Sequence, residues 1–138
     1  MNCEEPMHEG GCLCRDIRYR VDGPIESVAH CHCNSCRHSA GAVFVTWVTV
    51  GREKFAWTGG APRRYRSSPG VTREFCGRCG TELTYATERA ATTIDITLGS
   101  LDCAVGHAAD RHIWTADRLR WLQVDGHLPT YEGWSNES

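Results

Sequence analysis

Cys31-His32-Cys33-Asn34-Ser35-Cys36 crowds three thiols into a stretch too short for ordinary core cysteines. Two more clusters flank it: Cys12-Leu13-Cys14 upstream and Cys76-Gly77-Arg78-Cys79-Gly80-Thr81 downstream. Buried cysteines that act as small apolar residues scatter along a chain, whereas these seven gather in three pincers. A Cys-x-x-Cys turn followed by glycine points two thiolates at one ion, and Zn²⁺ takes four such ligands at tetrahedral corners. Cys-x-Cys does likewise where a turn replaces strand alternation.

Seven clustered thiols divide as four plus three. The division that keeps each cluster intact joins Cys12 and Cys14 to Cys76 and Cys79 as a closed site and leaves Cys31, Cys33 and Cys36 as a three-ligand site. Closed sites are structural, and three protein ligands leave a position for water or substrate. Spacing leaves a second pairing open, in which Cys33 and Cys36 join Cys76 and Cys79 as a ribbon, although the insert exceeds the roughly 15 to 20 residues of common ribbons. A redox role for either Cys-x-x-Cys needs a βαβ setting that the sequence lacks. Cys3 and Cys103 stand apart and read as a frayed thiol and a core or loop thiol.

A total of nine cysteines cannot pair completely, and clustered cysteines without disulfides belong to a reducing compartment. No secretory signal, transit peptide or membrane-length apolar run is visible, so a cytoplasmic protein is expected, with no membrane partner. The 138 residues suit one domain. A net charge of -2 and a pI near 6.4 argue against a phosphate-gripping surface, so no nucleic-acid partner is expected.

Helical periodicity is scarce, while short alternating or β-branched runs recur between glycines. The expectation is a mainly β fold with strands at 17–21, 25–29, 42–50, 54–57, 63–67, 72–75, 82–85 and 92–98. Turn residues such as Asp22-Gly23-Pro24 and Ser67-Ser68-Pro69-Gly70 separate them as hairpins. One helical turn is predicted over 34–39, capped by Asn34 or Ser35. Residues 1–8 read as a flexible N-terminus, 9–133 as a single zinc-binding domain, and 134–138 as a frayed tail.

Gly10-Gly11-Cys12-Leu13-Cys14 followed by Ile17-Arg18-Tyr19, His30-Cys31-His32-Cys33 with Cys36-Arg37 and Gly41-Ala42, and Phe75-Cys76 to Cys79-Gly80-Thr81 together resemble the glutathione-dependent formaldehyde-activating enzyme family. Its eukaryotic relatives include centromere protein V. His112-Ile113-Trp114 fits the family's closing strand. The resemblance implies a tent-like fold of stacked antiparallel sheets and hairpins. It also implies a structural zinc on Cys12, Cys14, Cys76 and Cys79 and a catalytic zinc on Cys31, Cys33 and Cys36. The implied activity is that of a carbon-sulfur lyase, in which a small thiol such as glutathione combines reversibly with formaldehyde to give S-hydroxymethylglutathione. The rival readings are a zinc-stabilised binding module without turnover and a purely structural metal fold.

A tripeptide thiol carries carboxylates, for which arginine forks are the usual partners. Arg37, directly after the central cluster, is taken first as a catalytic-site residue, with Arg63, Arg64 and Arg73 behind it. His30, His32 and His38 are candidates for ligands, thiolate orienters or proton relays. The tryptophans, including Trp47, Trp57 and Trp114, read as core or pocket walls.

Overall fold

The computed structural model describes residues 7–135. Its strands are β1 (Met7–Gly11), β2 (Arg18–Asp22), β3 (Ile25–Cys31), β4 (Val45–Gly51), β5 (Phe55–Gly59), β6 (Arg63–Ser68), β7 (Val71–Phe75), β8 (Glu82–Thr87), β9 (Thr93–Thr97) and β10 (Arg111–Ile113). One helix, α1 (Asn34–Ala40), follows β3. A three-stranded sheet has the order β1-β2-β5, and a seven-stranded sheet the order β10-β3-β4-β9-β8-β7-β6. All pairings are antiparallel except β10 against β3. The fold is mainly β, as expected.

Period-two alternation sorts the large sheet into two faces. Val28, Val48, Val50, Ile94 and Ile96 join Tyr19 and Val21 of β2 in one core cluster, so the small sheet shares its core with one face of the large one. Each fully buried aliphatic side chain contributes about 1.5–3 kcal/mol. The alternate residues, among them Ala29, Cys31, Trp47, Thr49, Tyr85 and Asp95, face a cavity instead. The site is thus built on the polar face of a sheet whose other face is core.

The eight strands read from the sequence are all present, with ends shifted by a few residues. β1 was hidden because Met7-His8-Glu9-Gly10-Gly11 has little strand propensity. It begins inside the stretch read as flexible, and Met7 and His8 pair with Asp22 and Val21. Close approach explains the glycine at position 10, where a Cβ would sit 2.4 Å from both the Ser100 carbonyl and the Tyr19 hydroxyl. β10 covers His112 and Ile113 of the expected closing strand and stops one residue short of its end, because Trp114 turns to a left-handed φ of 56°.

The helix appears where predicted, but its cap is Cys33, whose Sγ accepts from the Cys36 amide at 3.2 Å. The expected fray at the C-terminus fails at Trp134. That ring packs edge-on to Trp114 at 5.5 Å and against the cluster containing Trp47 and Ile113. Residues 136–138 lie outside the described residues, as does Cys3. Cys103, expected as a thiol, is disulfide-bonded. No helix among the described residues is long and apolar enough to cross a membrane.

Candidate metal centres

Two knuckles meet between the sheets. In the first, Cys12 and Cys14 follow β1, with the Arg15 amide donating to the Cys12 carbonyl at 3.1 Å. In the second, Cys76 and Cys79 follow β7. There the Gly80 amide donates to the Cys76 carbonyl at 2.9 Å, and Gly80 adopts a φ of 83° that favours glycine. The four sulfurs lie within 4.8 Å of one another. Cys12 and Cys14 are 3.6 Å apart, and Cys14 and Cys76 are 3.8 Å apart. Zinc-sulfur bonds of about 2.3 Å give a tetrahedron edge of roughly 3.8 Å, so this donor set fits a zinc ion. Amides orient the sulfurs, with Ile17 donating to Cys12 at 3.2 Å and Arg78 to Cys76 at 3.3 Å. The Thr81 hydroxyl, 3.2 Å from Cys79, is the largest influence holding that thiol down to about 5.

Cys31 ends β3, Cys33 caps α1, and Cys36 lies on its first turn; their sulfurs also fall within 4.8 Å of one another. This set gives three soft donors, matching the number that leaves a zinc coordination position open. Hydrogen bonds from Cys31 and Cys36 hold the Cys33 thiol down to about 3, and the bond to Cys33 pushes Cys31 up. All three cysteines line a cavity of about 570 Å³, and none of Cys12, Cys14, Cys76 or Cys79 does.

The arginine of this site is Arg73. Its guanidinium is buried, donating to Glu82 Oε1 at 3.0 Å and Ser39 Oγ at 3.1 Å, and it approaches Cys36 Sγ at 3.7 Å. Arg37 does not line the cavity; its Nη2 donates to Asn34 Oδ1 on its own helix. Arg63 and Arg64 also lie off the cavity, and Arg64 pairs with Glu74 at 3.1 Å. Adjacency in sequence favoured Arg37, but strand pairing of Arg73 with Tyr85 carries Arg73 inward instead.

His30 and His112 point away from the cavity by strand alternation. His30 Nδ1 lies 2.8 Å from Thr46 Oγ1, and its Nε2 lies 2.9 Å from Asp125 Oδ2. His112 Nε2, 3.0 Å from the Asp125 carbonyl, must carry a proton, because a carbonyl only accepts. With His112 neutral, its Nδ1 accepts from His32 Nε2 at 2.9 Å, leaving the buried Nδ1 of His32 bare and unpartnered. Burial is the largest influence holding His32 down to about 4. His38 is exposed and bonds back to the Asn34 carbonyl at 2.8 Å. Neither sulfur cluster includes a histidine among the described residues.

Asp95 was not singled out from the sequence. Its Oδ1 accepts from Thr49 Oγ1 at 2.6 Å, its side chain lines the cavity, and burial pushes it up to about 6. A carboxylate inside Thr93-Ile94-Asp95-Ile96-Thr97 is the signal that reveals it, since Asp is disfavoured in strands without a special reason.

The family model described as glutathione-dependent formaldehyde-activating enzyme matches residues 7–117. The chain belongs to this formaldehyde-activating family. A crystal structure of a Rhodobacter sphaeroides protein matches with a TM-score of 0.58 at 15% identity, covering 89% of this chain and 98% of that one, which shows a shared fold. No curated protein matches the chain. Both sulfur clusters fall within the formaldehyde-activating match, whereas Trp134 lies beyond it.

Proposed function

We propose that the protein is a zinc-dependent carbon-sulfur lyase that makes and breaks the bond between a thiol sulfur and the carbon of formaldehyde, as in S-hydroxymethylglutathione. One observation carries this reading: the three-sulfur set opens on the cavity, and the four-sulfur set does not. The closed set would then hold a structural zinc and the open set a catalytic one.

When bound at Cys31, Cys33 and Cys36, zinc would supply positive charge that favours the thiolate form of a substrate thiol near neutral pH. In synthesis, the substrate sulfur bonds to the carbonyl carbon, the carbonyl π pair moves to oxygen, and one proton must reach that oxygen. The proton that leaves the substrate thiol is the one required, and Asp95 is the group assigned to take it up, deliver it to that oxygen, and reverse both transfers when the carbon-sulfur bond breaks. Its Oδ1 is fixed by Thr49, and Oδ2 has no partner among the described residues and is not sealed from solvent. A carboxyl raised to about 6 exchanges protons readily near neutrality. Arg73 balances the negative charge of Cys36 and Glu82. Trp47, Trp114 and Trp134 wall the cavity and restrict water around the reacting atoms.

The test is magnetisation-exchange spectroscopy on glutathione and formaldehyde, with the spontaneous reaction as control. Zinc-loaded protein is expected to accelerate exchange between free and bound formaldehyde. Unchanged exchange at high protein concentration, repeated with other small thiols, refutes the lyase reading.

A further inference from the structure

We propose that Arg89, held over the ring of Trp134, is the receptor for a carboxylate on the substrate, so that the site selects acidic thiols over neutral ones. The inference rests on the thiol-adduct reading and names the substrate class within it.

Three arginines line the cavity: Arg73, Arg89 and Arg111. Two already have anionic partners, Arg73 with Glu82 at 3.0 Å and Arg111 with Asp110 at 2.5 Å. Arg89 has no ion pair and no side-chain hydrogen bond among the described residues. Its Cζ sits 4.3 Å from the Trp134 ring centroid. With no carboxylate already drawing on it, the guanidinium keeps its N–H donors available as the fork that grips a carboxylate through two parallel bonds. The cation-π contact fixes the group in advance, which lowers the ordering cost of binding.

The platform is itself held in place. The Trp114 amide donates to the Gly133 carbonyl at 2.9 Å, and the Thr115 amide donates to the Tyr131 carbonyl at 2.9 Å, pinning the segment that carries Trp134. Trp114 meets Trp134 edge-on at 5.5 Å while holding a left-handed φ of 56°, a strained conformation for a bulky residue. Arg89 follows β8, whose first residue, Glu82, shares Arg73 with Cys36. Anion and sulfur subsites therefore lie toward opposite ends of one strand. Arg89 lies within the stretch matched by the family, and Trp134 lies beyond it.

Zinc-loaded full-length protein should be titrated with 3-mercaptopropionate, its methyl ester, glutathione and glutathione diethyl ester, following heat and tryptophan fluorescence. The acid of at least one pair should bind about ten-fold or more tightly than its ester, the range of a charge-assisted hydrogen bond. Arg89→Gln should bring that ratio close to one without changing ester affinity, and Arg89→Lys should give an intermediate ratio. Discrimination in the glutathione pair alone supports the subsite and sets its distance from the sulfur. Equal binding of acid and ester in both pairs overturns the Arg89 assignment, as does a ratio indifferent to Arg89→Gln. Ester affinity reports on the thiol reading alone, and absence of binding by every probe overturns both ideas.

Discussion

Arg73 Nη2 lies 3.7 Å from Cys36 Sγ, so a buried cation on β7 stands beside the sulfur cluster on α1. The same guanidinium pairs with Glu82, and the two side chains are only 7% and 9% exposed. Removing one member of a buried pair leaves an uncompensated charge, at a cost of about 3–5 kcal/mol. Arg73→Met should lose stability on that scale in urea unfolding, and adding Glu82→Gln should recover part of it. A loss under about 1 kcal/mol would mean the pair is hydrated and matters little.

Asp95 links stability to activity with opposite signs. Its folded pKa of about 6 lies above the ordinary 3.8, so the folded state holds the proton more tightly. The stability this contributes is complete below pH 3.8 and is lost as pH rises through 6. Asp95→Asn, neutral throughout, can still accept from Thr49. It should match the parent below about pH 3.8, begin to exceed it between pH 3.8 and 6, and exceed its stability most fully at pH 8, by at most about 3 kcal/mol for a shift of roughly two units. The same variant should lose lyase activity. A variant less stable than the parent at pH 8 would show that the carboxylate is held by attractions rather than merely buried.

Gly10 tests how tightly the small sheet is seated. A methyl group there meets the Ser100 backbone and the Tyr19 hydroxyl, and backbone cannot swing aside. Gly10→Ala should cost about 1–3 kcal/mol through overpacking, read as a lower urea midpoint at unchanged slope. An unchanged midpoint would mean that β1 shifts freely against its neighbours.

The sulfur clusters and most strands were legible because both are written locally: three pincers in one case, alternation between glycines in the other. Arg73 is not legible in the same way, because its place depends on register and no local signal distinguishes it from Arg63 or Arg64. β10 has only three residues and pairs parallel with β3, so neither alternation nor a hairpin turn announces it. Trp134 reads as tail by position, yet long-range amide-carbonyl bonds between 112–116 and 129–133 return that segment to the cavity. Asp95 was visible as an anomaly in a β-branched run; its consequence appears only once the Thr49 pairing is known.

The two cysteine sets should separate by what their loss does. A structural zinc contributes about 10–16 kcal/mol of apparent binding energy to folding, more than the roughly 5–15 kcal/mol of net stability of a whole domain. Cys76→Ser leaves the closed set with three sulfurs and unclasps the β1-β2 connection from the β7-β8 connection, so insoluble or unfolded protein is expected. Cys36→Ser acts on the set that already lacks a fourth protein donor, and the new hydroxyl can still accept from Arg73. That variant should fold, carry close to half the zinc of the parent, and show no lyase activity. Zinc analysis with circular dichroism on both variants decides the assignment. An unfolded Cys36→Ser beside a folded, active Cys76→Ser would exchange the structural and catalytic roles of the two sets.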